Sequence, residues 1–450
     1  MPVRKLSGVR TPHNKNTAER APEIIPTPPE VVLPMSMHIG APSKPVVKPG
    51  DEVKVGQLLA EASGFVSSPV YASVSGKVRS IDAFEGANGA RTTAIVIAAD
   101  GLQTIYDDLT PPLVTNTEDF ITAVRDSGAV GLGGAGFPTA AKLKVEPGTI
   151  DTIIINGAEC EPYITSDTRT MLDDADLVYE GALLLKTHMG VKSLIIAVED
   201  NKPEPVKKLR ELSAGDGVIE IRTLPALYPQ GGEKVLIYHT TGRIVPEGKL
   251  PLDVGVVVLN VTTVATIARY IKTGVPLVSK CVTVDGPAVK EPKNVIAPIG
   301  TPVRALFDYC GGFREEAKKV LYGGPMMGIA IHDLSLPVLK STNAVLAFGE
   351  KDAKLPQETA CIRCGRCAAH CPLKLMPFSI ETAYQLKKPE LLEKYKVNIC
   401  MECGCCAYAC PAKRRLVHVM KLSKAMLREY QTAVKAEQDK KKTDKKEATV

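Results

Sequence analysis

The chain has 450 residues, a formal net charge of +6 and 44% hydrophobic residues, enough for about three domains that each bury a core. So mild a basic excess, with 5% aromatic residues and no Trp, argues against a nucleic-acid partner, which calls for concentrated positive charge and stacking platforms. No run of about 18 apolar residues appears and the start lacks the apolar stretch of a signal peptide, so no direct membrane span is expected.

Residues 1–30 are rich in Pro, Lys and polar residues, with Pro22, Pro26, Pro28 and Pro29 close together, and predict an extended arm outside any core. From Val31 short apolar runs alternate with turns, among them Val31–Leu33, Val53–Val55 and Val70–Val74. Such spacing predicts a small β sandwich or barrel to about residue 100. The stretches Val47–Glu61 and Ala72–Val78 resemble lipoyl- and biotinyl-carrier domains. Where a carrier offers its modified lysine, this chain has Ser63–Pro69 without one. The resemblance therefore implies a barrel-sandwich fold used for docking, without a swinging cofactor arm.

Phe120, Ile121, Val124 and Ala129 predict a helix over residues 117–129. The loop Gly131-Leu132-Gly133-Gly134-Ala135-Gly136-Phe137 follows that helix and is broken at once by Pro138, which argues against a Rossmann turn. Gly131, Gly133, Gly134 and Gly136 nevertheless leave backbone N–H groups able to converge on an anion, and Pro138 opens a short helix bearing Lys142. A glycine-rich structural turn is the plain alternative. The β-branched run Asp151–Ile155 predicts a buried strand that empties into Asn156, Glu159 and Glu161, where ligands of open α/β sheets collect. A helix over residues 171–188 and strands at Ser193–Val198 and Val218–Thr223 continue an α/β alternation.

Gly131–Thr139 with Lys142, then Asn156-x-x-Glu159-x-Glu161-Pro162, resembles the flavin core of the NADH-oxidising subunit of respiratory complex I. Tyr228-x-x-Gly231-x-Glu233 and Asn260-Val261-x-Thr263 follow in that family's order. The resemblance implies that the glycine loop, Lys142 and Asn156 hold FMN, while Phe137, Glu161 and Glu233 face NAD(H) and Glu159, Tyr228 and Asn260 join the site. This chain departs from the resembled family at Ala158, where that family usually has an acid, at Gly232, where it has the first of two paired acids, and at Leu259, where it has one of two adjacent Asn.

Near the carboxyl end, Cys361-x-x-Cys364-x-x-Cys367-x-x-x-Cys371-Pro372 is repeated as Cys400-x-x-Cys403-x-x-Cys406-x-x-x-Cys410-Pro411. This is the run of bacterial ferredoxins, in which three thiolates wrap one [4Fe–4S] cube and the fourth ligates the other. Cys361, Cys364, Cys367 and Cys410 are thereby expected on one cluster, and Cys371, Cys400, Cys403 and Cys406 on the second. Structural zinc, the alternative, takes separated Cys pairs instead of equally spaced triplets. Cys160, Cys281, Cys310 and Cys405 show no disulfide framework, and thiols kept for iron point to the cytosol.

Between these regions, Cys281–Gly286 through Ile299–Val303 resembles a ligand-binding β-grasp domain of the SLBB type. Within it, Tyr322–Gly328 carries paired Met326 and Met327, either beside a cofactor or as flexible core filler. The fold expected is therefore multidomain α/β and α+β: an arm over 1–30, a barrel-sandwich hybrid (lipoyl-like) β domain over 31–105 and an α/β flavin/NADH-binding core over 115–250. A β-grasp (SLBB-like) domain over 251–345, an α-helical ferredoxin-like dicluster domain over 355–430 and a disordered charged tail over 431–450 complete it.

This order, with Pro34-x-x-x-His38-Ile39-Gly40-Ala41-Pro42, resembles the RnfC family, the C components of Rnf complexes. The resemblance implies a peripheral subunit of a ferredoxin:NAD⁺ oxidoreductase, coupled to Na⁺ or H⁺ transport, at the cytoplasmic face of the cell membrane. It implies FMN, NAD(H) and two [4Fe–4S] clusters as cofactors, and as partners other Rnf subunits, integral membrane ones and a ferredoxin-like iron–sulfur subunit among them. Two other readings are an electron-conducting scaffold that binds no nucleotide and a soluble cobalamin reductase with the same flavin and cluster modules.

Overall fold

The computed structural model describes residues 6–215 and 217–447, with side chains through residue 438. The first domain is a barrel sandwich. One sheet orders Glu30–Pro34, Arg91–Ala99, Gly76–Glu85 and Glu52–Val53, and a smaller one orders Lys44–Pro45, Leu58–Glu61 and Val70–Tyr71. Alternation along the first strand turns Val31 and Leu33 inward, where they pack with Leu59, Val70, Ile95 and Ile97.

The central domain is a parallel sheet ordered Glu220–Leu224, Ser193–Glu199, Thr152–Gly157, Val256–Asn260. Ile153, Ile154 and Ile155 are fully buried, as a parallel strand covered on both faces requires. Helices Thr117–Asp126, Ala175–Met189 and Val261–Thr273 supply Phe120, Val124, Val178, Leu185 and Val264 to the core on one side. The single helix expected over residues 171–188 is two, Ser166–Asp173 and Ala175–Met189. The expected domain boundary at 250 falls one strand early. Val256–Asn260 pairs with Thr152–Asn156 in register, because its β-branched run completes this sheet and not the β-grasp one.

The β-grasp domain holds a sheet ordered Glu23–Ile24, Lys293–Pro298, Ser279–Asp285, Ala344–Phe348, Lys319–Tyr322, Ile329–Ile331. Its first strand belongs to the amino-terminal arm, so the expectation of an arm outside any core is corrected from residue 6 onward; residues 1–5 lie outside the described residues. Val9 and Tyr228 exchange two backbone hydrogen bonds, and Thr17 is fully buried. Pairing of backbone groups leaves no apolar pattern to read.

The last domain packs helices Pro377–Gln385, Pro389–Lys394 and Leu416–Glu447 around Ile380, Leu392, Met420 and Leu427. The tail expected to be disordered from 431 is helical to Glu447, with 448–450 outside the described residues. Once Met420 and Leu427 anchor the first turns, each added Ala, Lys, Glu or Gln needs only propagation, which is far easier than nucleation.

Candidate functional site

Strand Thr152–Gly157 is flanked in space on one side by Ser193–Glu199 and on the other by Val256–Asn260, so the chain changes direction between the first and the last. The crevice at the carboxyl ends of such neighbours is where open α/β sheets bind ligands. Asn156 and Asn260 stand there as register partners. The Asn156 side chain accepts from Ala158 N at 3.0 Å and donates to Gly231 O at 3.0 Å. Asn260 caps helix Val261–Thr273, accepting from Thr262 N at 3.0 Å and Thr263 N at 3.2 Å. Its Nδ2 donates to Asp167 Oδ2 at 2.7 Å.

The glycine loop lies over Asn260. Gly131 N donates to Phe137 O at 2.9 Å and Gly136 N to Gly131 O at 3.0 Å, closing the loop on itself. Gly134 has φ +136° and Gly136 φ +65°, conformations that L side chains rarely adopt. A Cβ on Gly133 would lie 2.7 Å from Asn260 Nδ2. Leu132 is buried, while Gly133, Gly134 and Ala135 are exposed. The N–H groups of Gly133 and Ala135 make no hydrogen bond among the described residues, which suits an anion such as a phosphate.

Not every expected residue opens to this crevice. Lys142 Nζ is bonded to Glu233 Oε1 at 2.7 Å and to Val258 O at 2.8 Å, so the two expected site charges join across it. Glu159, expected among the binding acids, is instead spent at the start of helix Ser166–Asp173. Its carboxylate accepts from Asp167 N at 2.7 Å and from Thr168 Oγ1 at 2.7 Å, and burial pushes its pKa up to about 7. Glu161 accepts from Met326 N at 3.0 Å and Met327 N at 2.8 Å in the β-grasp loop. Burial raises it to about 6 against the opposing pull of those two donors. Tyr228 is buried beside Glu161, and its hydroxyl helps to hold the Glu161 carboxyl down against burial.

Lys15, on the arm, had no sequence signal. Its Nζ donates to Glu159 O at 2.8 Å, Glu161 O at 2.8 Å and Ile164 O at 2.5 Å, tying down the acidic loop. Thr17 Oγ1 reaches Thr165 Oγ1 at 2.5 Å just beyond.

The cysteines sort into two cages. Cys361, Cys364, Cys367 and Cys410 line a cavity of ≈ 60 Å³ with Phe378 and Leu416. Cys371, Cys400, Cys403 and Cys406 line one of ≈ 20 Å³ with Leu375 and Met420. Among the described residues no three His, Cys, Asp or Glu side chains close to the spacing of a single metal ion. Both halves wrap alike: Arg363 and Glu402, Gly365 and Gly404, and Lys374 and Lys413 all have positive φ. These turns aim N–H groups at sulfur, as in Glu402 N to Cys400 Sγ and Leu375 N to Cys371 Sγ, both 3.4 Å. Burial pushes the Cys400 thiol up to about 11; iron would supply the countercharge that a thiolate there lacks.

The cages differ in surroundings. Cys361 and Cys364 are exposed. Cys403 and Cys405 share a core with Val9 and Tyr228, flanked by Cys160, Met326 and Met401. Cys405, the spare thiol, donates to Tyr228 O at 3.8 Å. A Cβ on Gly232 would collide with Met401 Cε, so the second cysteine motif packs directly against the start of helix Glu233–Thr241. Met326 backs onto Gly404, where a Cβ would lie 3.0 Å from its carbonyl oxygen.

Four family models match: the RnfC barrel sandwich hybrid domain over residues 4–102, the Nuo51 FMN-binding domain over 124–269, the SLBB domain over 281–330 and the 4Fe-4S dicluster domain over 354–411. Over 418 residues the chain is 42% identical to the C component of the proton-translocating ferredoxin:NAD(+) oxidoreductase complex of Clostridium ljungdahlii, covering 91% of both. Over 422 residues it is 43% identical to the C component of the Na(+)-translocating ferredoxin:NAD(+) oxidoreductase complex of Acetobacterium woodii, covering 93% of this chain and 95% of that one. The C component of the ion-translocating oxidoreductase complex of Rhodobacter capsulatus is 38% identical over 374 residues, covering 82% and 72%.

Proposed function

Because the chain belongs to the RnfC family, the C components of ion-translocating ferredoxin:NAD(+) oxidoreductase complexes, we propose that it exchanges hydride with NAD(H) at FMN held in the crevice and passes electrons singly through two cysteine-held [4Fe–4S] clusters. FMN when bound supplies the exchange between a two-electron hydride and single electrons, and the clusters carry the latter. The chain's own residues bind, orient and insulate. Gly133 and Ala135 N–H receive the phosphate, and Asn156 and Asn260 hold the crevice open at the strand ends. Phe137, Glu161 and Tyr228 line the side toward the nucleotide. Cys361, Cys364, Cys367 and Cys410 hold one cluster and Cys371, Cys400, Cys403 and Cys406 the other.

The observation that carries this reading is the seam at Tyr228. Glu161, Met326, Gly404 and Cys403 follow one another in contact, which supports a path between the nucleotide and the second cage, with the other cage, whose Cys361 and Cys364 are exposed, as the outer end. Electrons enter or leave the protein at that outer cage. Its partners are the other subunits of the complex, integral membrane ones and a ferredoxin-like iron–sulfur subunit among them, with this chain peripheral at the cytoplasmic face. No helix among the described residues is long and apolar enough to cross a membrane. Transport is of Na⁺ or H⁺, the two ions for which the relatives are named.

Anaerobic purification followed by iron and flavin analysis and an NADH titration tests the reading. About eight iron atoms per chain, four for each cube, and NADH-dependent bleaching of cluster absorbance are expected. A second reading, an electron-conducting scaffold, is favoured by the Lys142–Glu233 pair, which neutralises two expected site residues. Iron without flavin, and clusters that NADH leaves oxidised, would establish it instead.

A further inference from the structure

Two ammonium groups are buried beneath the glycine loop with no ion-pair partner among the described residues. Lys280, on strand Ser279–Asp285 of the β-grasp domain, is 4% exposed, and Lys340 is 1% exposed. Lys280 Nζ donates to Leu132 O at 2.5 Å and Lys340 O at 3.1 Å. Lys340 Nζ donates to Ser68 Oγ at 3.0 Å, Pro69 O at 2.6 Å and Gly128 O at 2.9 Å. The ion pairs of the central domain join other residues, the partly exposed Lys142 with Glu233 and the buried Lys202 with Glu199. Burial drives the pKa values of Lys280 and Lys340 down, to about 8 and about 7.

An isolated buried ammonium is costly unless something compensates it. Asp167 alone among carboxylates raises the Lys280 pKa, and it is already bonded to Asn260 and Thr262. The acceptor that Lys280 does take is informative. Leu132 O and Gly133 N–H belong to one peptide unit, and in a trans peptide the two point in opposite directions. With its carbonyl gripped from below by a cation, that peptide aims Gly133 N–H outward and polarised. Gly133 N–H is among the loop donors that find no partner among the described residues. Lys340 fixes Lys280 in turn, bracing it against the hairpin of the barrel domain at Ser68 and Pro69 and against Gly128 before the loop.

We propose that Lys280, supplied by the β-grasp domain, is a positioning residue for the flavin site: it orients the Leu132–Gly133 peptide and places a positive charge behind it, so that the glycine loop selects flavins bearing a phosphate. This rests on the reading that the loop binds FMN. It assigns the β-grasp domain a part in cofactor choice and explains why two lysines without a carboxylate partner among the described residues sit where three domains meet.

The test compares FMN with riboflavin, which lacks the phosphate, in fluorescence-quenching titrations of flavin-stripped, cluster-loaded full-length protein. In wild type FMN binds more tightly than riboflavin. In Lys280→Met, and in Lys280→Gln, which keeps a neutral donor to Leu132 O, that preference falls at least about tenfold while riboflavin affinity stays within about threefold. Lys280→Arg retains the preference. A merely structural role would weaken both flavins together, so equal losses overturn the proposal, as does a folded Lys280→Gln protein with the wild-type preference. Wild type that binds neither flavin overturns the FMN reading and this proposal with it.

Discussion

Asn156 and Asn260 are register partners at the carboxyl ends of adjacent parallel strands, and each uses its side chain to fix a different part of the crevice. Asn156 ties Ala158 N to Gly231 O, and Asn260 caps a helix while pinning Asp167. Neither side chain is free to shift, which makes the glycine loop above Asn260 intolerant of added atoms. Gly133→Ala would place a methyl 2.7 Å from Asn260 Nδ2, forcing the asparagine off its cap at a cost of about 1 kcal/mol and displacing the loop. Flavin content measured after anaerobic purification should fall to below about a tenth of wild type, with iron content unchanged.

The arm residue Lys15 holds three carbonyls of the acidic loop. Removing a donor from partly buried acceptors costs about 1–3 kcal/mol, so Lys15→Met should lower the thermal midpoint by several degrees. Hydrogen exchange should accelerate in residues 156–165 and not in the barrel domain. Protection unchanged in that loop would show that the arm merely lies upon it.

Glu161 is raised by burial to about 6 from the ordinary 4.5 of a glutamate. The folded state therefore holds a proton that the unfolded state has released, and stability present below pH 4.5 is lost as pH rises through 6. Glu161→Gln removes this linkage. Between about pH 5 and about pH 7.5 wild type should lose about 1 kcal/mol relative to the variant, read from anaerobic thermal or denaturant unfolding at the two pH values.

The two cages should respond differently to NADH. Cys364→Ala removes a ligand from the outer cage, leaving about half the iron and a second cluster that NADH still reduces. Cys403→Ala opens the cage beside Tyr228; about half the iron again remains, yet reduction of the outer cluster by NADH should slow at least about a hundredfold, followed by electron paramagnetic resonance of freeze-quenched samples. Slow reduction of the remaining cluster in Cys364→Ala, with fast reduction in Cys403→Ala, would place the outer cage on the nucleotide side.

Gly232→Glu would restore the acid of the resembled family, but the side chain must enter space occupied by Met401, whose Cε the added Cβ would strike. Overpacking of this kind costs about 1–3 kcal/mol. The change should lower the thermal midpoint and loosen the seam, seen as faster loss of the second cluster to an iron chelator, and Gly232→Glu with Met401→Ala should recover part of the loss.

The sequence determined by itself whatever rests on short-range spacing. Two equally spaced cysteine triplets, each followed by a fourth Cys and a Pro, announce their chemistry, β-branched runs announce buried strands, and four glycines announce a loop that approaches something closely. Only the tertiary structure decided which charges remain available. Glu159 reads as a site acid from its place after a strand, yet it caps the helix that begins at Ser166. Lys15 and Lys280 carry no signal in the sequence, yet they reach carbonyls 144 and 148 residues away. The arm and the strand Val256–Asn260 were misplaced for the same reason: backbone pairing across such separations carries no period, no spacing and no composition, because a peptide group of any residue can accept or donate.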